Sequence, residues 1–195
     1  MNSQQHKYRF SFTAASLQVP VMVLLAQKLV SEGLLLEELK ADDLQKGRAK
    51  TNLREFIEIR MRLNTLSSEE ISVLANSNSD EQKFICLISF GRAYKYFRDF
   101  IEEVVLEKIS LFDFKLSDMD YNIFFSKKSI DHIELEKLTT LTQYKIKQVI
   151  FKVMEQGGLI DNTKDRNIQI PQLSTAFENI IKNTNPNDLK LLLNQ

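Results

Sequence analysis

Gly157-Gly158 constrains the fold of this chain more than any other feature. The sequence holds only 5 glycines, and two of them stand side by side at the end of an apolar stripe. That stripe is Ile146, Val149, Ile150 and Val153, which recur at helical spacing and mark one buried face. The threonines ahead of it suit a helix N-cap, and glycine ends a helix because it takes the left-handed C-cap conformation without a Cβ clash. Beyond the glycines come two β-like runs, Leu159-Ile160 and Ile168-Gln169-Ile170, and Pro171 closes the second. The polar turn between them, Asp161 to Asn167, carries Lys164 and Arg166. A helix followed at once by a small hairpin with a basic tip is the order of a winged helix-turn-helix. In that arrangement the helix enters a DNA major groove and the tip touches phosphate. Residues 135–171 are therefore expected to be a winged-helix-like segment. The same order also occurs in winged-helix modules that bind only protein.

The remaining sequence reads as helix. Thr13 is expected to cap a helix over 14–32 that Pro20 kinks or splits and Gly33 stops. Leu34 to Leu39 reads as a short helix, and a third runs from about Lys50 to Leu63. Ser67 and Ser68 ahead of Glu69-Glu70 predict an N-cap with an acidic first turn. Asn76 to Asp80 is the clearest polar break, and it divides an N-terminal helical part (1–76) from a C-terminal one (77–195) unless the two form one unit. A long segment from Glu81 to about Ile109 is apolar on much of its circumference, which predicts a central helix. Ser117 caps the next helix, Ser174 or Thr175 another, and Asn187 or Asp188 a last turn of leucines. The expected fold is mainly α, a helical protein with winged helix-turn-helix-like parts and a small C-terminal β-hairpin.

Charge is balanced overall, with 26 basic and 26 acidic residues. That excludes a uniformly basic nucleic-acid binder but not a protein with segregated charge. Segregation is visible along the chain. Lys46, Arg48, Lys50, Arg54, Arg60 and Arg62 sit among only Glu55 and Glu58, while the preceding segment is acidic. Leu34–Leu39, the polar turn 41–47 and this basic helix echo a helix-turn-helix, and basic side chains near a helix start suit phosphate contact. The alternative is a solvated face paired with its acidic neighbour.

Catalytic constellations are missing. There is no GxxxxGK[ST] loop, no GxGxxG and no HExxH. The two histidines, His6 and His132, are too few for a metal site or a triad, so no metal, cofactor or catalytic residue is expected. Cys86 is the only cysteine and lies in the long apolar segment, as an inert small hydrophobe would. A reducing cytoplasm fits. The N-terminus lacks the apolar core of a signal peptide, and Val19–Val30 is too short for a bilayer. Tyr144 and Phe151 fall off the apolar stripe, so either a second layer covers them or Tyr144 meets a partner.

Four blocks carry a family resemblance over nearly the whole chain: YRFSFTAASL, YKYFRDFIEEVVLEKI, FKLSDMDYNIFF and TTLTQYKIKQVIFKVMEQGGLID. Together they resemble the BrxA family, small components of BREX bacteriophage-exclusion systems. The resemblance implies a cytoplasmic, non-enzymatic, mainly helical protein that binds double-stranded DNA beside a methyltransferase, ATPases and other BREX proteins. On that expectation Thr142 sets the helix start, and Gln143, Lys145, Lys147 and Gln148 approach the groove. Lys164 and Arg166 form the wing tip, and Arg48, Lys50 and Arg54 are a second basic patch. Two alternatives stand beside it. One is an adaptor that assembles other BREX proteins; the other is a helical RNA-binding module, which would prefer single strands or loops.

Overall fold

A computed structural model describes residues 7–14, 16–44 and 49–194. Residues Ser11–Ala14 form one 3-10 turn, and the Thr13 hydroxyl donates to the Phe10 carbonyl (3.0 Å) instead of capping a helix. Gln18 is left-handed (φ 59°) and turns the chain into α1 (Val19–Glu32). Pro20 thereby falls in the first turn of α1, where no helical N–H is needed, and neither kinks nor splits it. Gly33 (φ 64°) ends α1.

A single 3-10 turn, Leu36–Glu38, stands where a short helix was expected, and a second, Ala41–Leu44, lies in the stretch read as a polar turn. They are too short to serve as the first helix of a helix-turn-helix, so that echo in the first half does not form. Then come α2 (Ala49–Leu63), α3 (Ser68–Asn76) and α4 (Ser79–Ala93). Ser67 and Glu70 form a reciprocal capping box on α3, and Asn78 caps α4 through the N–H groups of Asp80 and Glu81. α4 is buried continuously from Phe84 to Gly91, enclosed by α1, α2 and α3.

The long apolar segment is not one helix. Tyr94 is extended (φ −128°, ψ 92°) and separates α4 from a second rod made of α5 (Lys95–Phe100), a π-helical turn (Ile101–Val105) and α6 (Leu106–Ser110). The break turns the Tyr94 ring into the core against Phe12 and Phe90. Its hydroxyl donates to Glu58 Oε2 (2.6 Å) and accepts from Arg62 Nε (3.2 Å). Arg62 is itself fully buried, stacked over the Phe90 and Tyr94 rings and donating to the Ser16 carbonyl. It belongs to the core and not to a basic face.

The chain continues with α7 (Asp118–Asp131), α8 (Ile133–Glu136), α9 (Thr140–Gln156) and α10 (Thr175–Thr184). Ser117 and Ser174 are the caps of α7 and α10, as expected. The last 3-10 helix, Pro186–Leu192, is capped by Asn185, ahead of both Asn187 and Asp188, the two caps read from the sequence. One hydrophobic core runs through residues from Tyr8 to Leu193. Beside it lies a charged cluster: Arg92 grips Glu70 with two hydrogen bonds (2.6 and 2.8 Å) and Asp188 with a third (2.7 Å), and Arg98 also pairs with Asp188.

The two adjacent glycines serve different needs. Gly158 is the left-handed one (φ 76°), whereas at Gly157 a Cβ would sit 2.7 Å from Leu87 Cδ1. The hairpin beyond them does not form: no strand is present among the described residues. Ile160 and Ile168 make one isolated antiparallel bridge, and Lys115 and Asn167 make another. The ladder stops because the turn bonds to itself. The Asp161 carboxylate accepts the N–H groups of Asn162 and Asn167 and the Asn167 side-chain amide. The structure is thus mainly helical, without the wing strands that the sequence suggested.

Candidate nucleic-acid interface

A threonine caps α9 as expected, but it is Thr139, three residues ahead of Thr142. Thr139 Oγ1 accepts the Thr142 N–H (3.3 Å) and lies 2.9 Å from the Thr142 hydroxyl. Gln143 turns its amide back to the Leu138 carbonyl (3.1 Å). Both side chains are half-buried and bond within the start of the helix. The exposed side chains of the next turns are Tyr144, Lys145 and Gln148. Phe151 is buried against Phe100 and Tyr121, so a second layer covers it while Tyr144 stays open.

A cleft of about 610 Å³ lies between α9 and the segment that carries Thr13, Ser16 and Gln18. Its charged lining is Lys145, Lys147, Lys152 and Arg166 against a single carboxylate, Asp118. Lys147 Nζ and Arg166 Nη1 both reach Asp118 Oδ1, at 3.2 and 2.8 Å. The Arg166 hydrogen bond foremost, with help from Lys147, holds the Asp118 carboxyl below its ordinary value against the opposing effect of burial. Lys152 pairs with Glu155. Lys145 makes no ion pair among the described residues.

Arg166 is not a free tip. Its backbone is left-handed (φ 56°), which folds the side chain back onto the protein. Nε donates to the Thr163 carbonyl (2.9 Å), and the guanidinium lies 4.1 Å from the centroid of the Phe151 ring, a cation–π contact. Lys164 is the exposed cation of this turn and has no ion pair among the described residues. Of the second patch, Arg54 is exposed and borders a separate shallow pocket with Ser11, Ile57 and Glu58. Arg48 lies outside the described residues, as does the Lys50 side chain.

The structure therefore gathers Lys145, Lys147, Gln148 and Arg166 at one cleft, leaves Lys164 on the adjoining turn and sets Arg54 apart. Sequence reading missed Lys152 and Asp118. Lys152 was within reach of it, because Lys145, Gln148 and Lys152 follow i, i+3, i+7 spacing on one helix face. Asp118 was not, because only the packing of α7 beside α9 brings it in.

The other chemically notable side chains are committed to packing. His132 is buried, its Nδ1 3.1 Å from Glu134 and its ring stacked on Tyr8. Burial pushes the Cys86 thiol up to about 12. No cluster of His, Cys, Asp and Glu among the described residues could hold a metal, and no described helix is long and apolar enough to cross a membrane.

A model of the BrxA family matches residues 6–185, which include every residue of the cleft. The chain belongs to the BrxA family. It is similar to a BREX protein BrxA of Bacillus cereus (strain H3081.97), 31% identical over 114 residues, or 58% of this chain and 57% of that relative. A BREX protein BrxA of Escherichia coli O9:H4 (strain HS) is 24% identical over 150 residues, covering 77% of this chain and 70% of the relative. The fold is shared with the crystal structure of an uncharacterized protein from Magnetospirillum magneticum, at TM-score 0.78 and 14% identity. That match covers 96% of this chain and 98% of the other.

Proposed function

We propose that this BrxA-family chain is a cytoplasmic, non-enzymatic component of a BREX phage-defence system that binds double-stranded DNA mainly through phosphates. The observation that carries the reading is the cleft beside α9, where four cations meet one carboxylate in a chain of zero net charge. Concentrating positive charge at one concave place gives a neutral protein a local attraction for a polyanion. Lys145, one of the four, is exposed and has no ion pair among the described residues, Lys164 adds another such ammonium group on the adjoining turn, and Gln148 is exposed three residues after Lys145. The relatives' designation as BREX proteins supplies the system. Binding of the purified chain to duplex DNA, single-stranded DNA and RNA of matched length tests this. Duplex should be preferred; equal or tighter binding of RNA or of single strands would replace the reading with the RNA-module alternative.

A second reading has its own observation. Leu111, Phe112, Met119 and Ile123 leave large apolar side chains exposed around the turn from α6 to α7, with Phe112 85% exposed. Such a patch suits docking of another BREX protein. In an adaptor, Phe112→Ser abolishes co-purification with BREX components, and loss of the cleft cations leaves it intact.

A further inference from the structure

Lys147 and Arg166 come from different elements yet aim at one oxygen atom, Asp118 Oδ1, at 3.2 and 2.8 Å. Asp118 is the first residue of α7, and its side chain is 59% exposed, so it sits at the cleft surface and not in the core. Arg166 is braced for this geometry from two further sides, by the Thr163 carbonyl and the Phe151 ring. A lysine and a braced arginine converging on a single anionic oxygen is the geometry that grips a phosphate oxygen. We infer that the convergence point of Lys147 and Arg166 is a phosphate site, occupied in the free protein by the Asp118 carboxylate as an internal stand-in. The inference rests on the duplex-binding reading and deepens it: the ligand is a non-bridging oxygen of a phosphate ester, and the source is a backbone phosphate of the duplex. Binding is then an exchange. The phosphate takes the two cations and Asp118 swings to solvent, so affinity is held below what the cleft's cations alone would give.

The test compares Asp118→Asn with wild type by duplex titration across a salt series. Asp113→Asn is the charge-matched control, since Asp113 pairs with Lys108 outside the cleft. Asp118→Asn should tighten duplex binding by about 2- to 30-fold, the range set by two ion pairs to a solvent-exposed carboxylate. Its salt slope should match wild type, because the exchange makes the same phosphate contact in both. Asp113→Asn should leave the affinity unchanged. Asp118→Ser, which also removes the charge, must behave like Asp118→Asn, and denaturation curves confirm that both variants are folded. If wild type binds duplex and both Asp118 variants bind with the same affinity, the phosphate site is overturned while duplex binding stands. If no variant binds duplex, both fail. A gain confined to duplexes with 5′-phosphorylated ends, or one abolished by millimolar inorganic phosphate, overturns the assignment to a backbone phosphate.

Discussion

Replacing Arg92 with methionine should cost the fold a large part of its stability. Arg92 donates to the Thr65 carbonyl (2.6 Å), to both oxygens of Glu70 and to Asp188, and both carboxylates are fully buried. Burial opposes the Arg92 charge, but the bonds to Glu70 and Asp188 outweigh it, and the guanidinium is held more firmly protonated than usual. The two carboxylates do not suffer alike. Asp188 keeps Arg98, whereas Glu70 keeps, among the described residues, the Ser67 N–H at 2.8 Å. Removing one partner of a buried pair costs about 3–5 kcal/mol, because a charge is left without compensation. For a chain of this size each kcal/mol lowers Tm by about 2–4 °C, so the loss is about 6–20 °C. Urea denaturation should show a lower midpoint with an unchanged slope. Adding Glu70→Gln keeps an oxygen for the Ser67 cap and removes the orphaned charge, so the double variant should be more stable than Arg92→Met alone. An Arg92→Met midpoint equal to wild type, or a second substitution that deepens the loss, would refute this reasoning.

Other consequences follow from the same packing. Gly157→Ala should destabilise by about 1–3 kcal/mol, since its Cβ meets Leu87 at 2.7 Å, and Leu87→Ala in the same chain should relieve the clash; urea midpoints decide. Asp99 is buried, which pushes its carboxyl up, but hydrogen bonds from Lys95 and Tyr8 and the charge of Lys128 hold it below the ordinary 3.8. A depressed carboxyl stabilises the fold above its unfolded-state value and loses that contribution as pH falls through the folded-state value. Stability should therefore drop below about pH 4, and Asp99→Asn should flatten that drop in acid titrations followed by circular dichroism. Gln148→Ala should leave the salt slope of duplex binding unchanged and reduce any preference among DNA sites, whereas Gln143→Ala should affect neither.

What the sequence made legible was local. Ser67, Ser117 and Ser174 cap their helices because a cap needs only a side-chain oxygen three residues ahead of an N–H. The stripe of Ile146, Val149, Ile150 and Val153 is buried as its period required. What stayed hidden depends on distant partners. Arg62 reads as a surface cation until Phe90, Tyr94 and the Ser16 carbonyl enclose it. Tyr94 breaks a helix that its neighbours would continue, because its ring and hydroxyl have partners on other elements. Arg166 reads as a wing tip, yet Phe151 and Asp118 draw it down, and Asp118 lies 48 residues away. The β-like runs after Gly158 keep a single bridge, because the Asp161 carboxylate takes the Asn167 N–H and Ile168 turns its own N–H to the Phe114 carbonyl, partners that no period reveals.

Phosphate-led duplex binding is tested most directly by the salt dependence of binding for wild type against Lys145→Ala/Lys164→Ala. These two lysines are exposed and have no ion pairs among the described residues, so their loss removes charge without breaking a packed contact. Each phosphate contact releases condensed counterions and contributes about 0.9 to the slope of log K against log salt. The double variant should flatten that slope by about 1.8 and weaken all duplexes alike. A folded double variant with unchanged affinity and slope would contradict DNA binding at the α9 cleft and its adjoining turn.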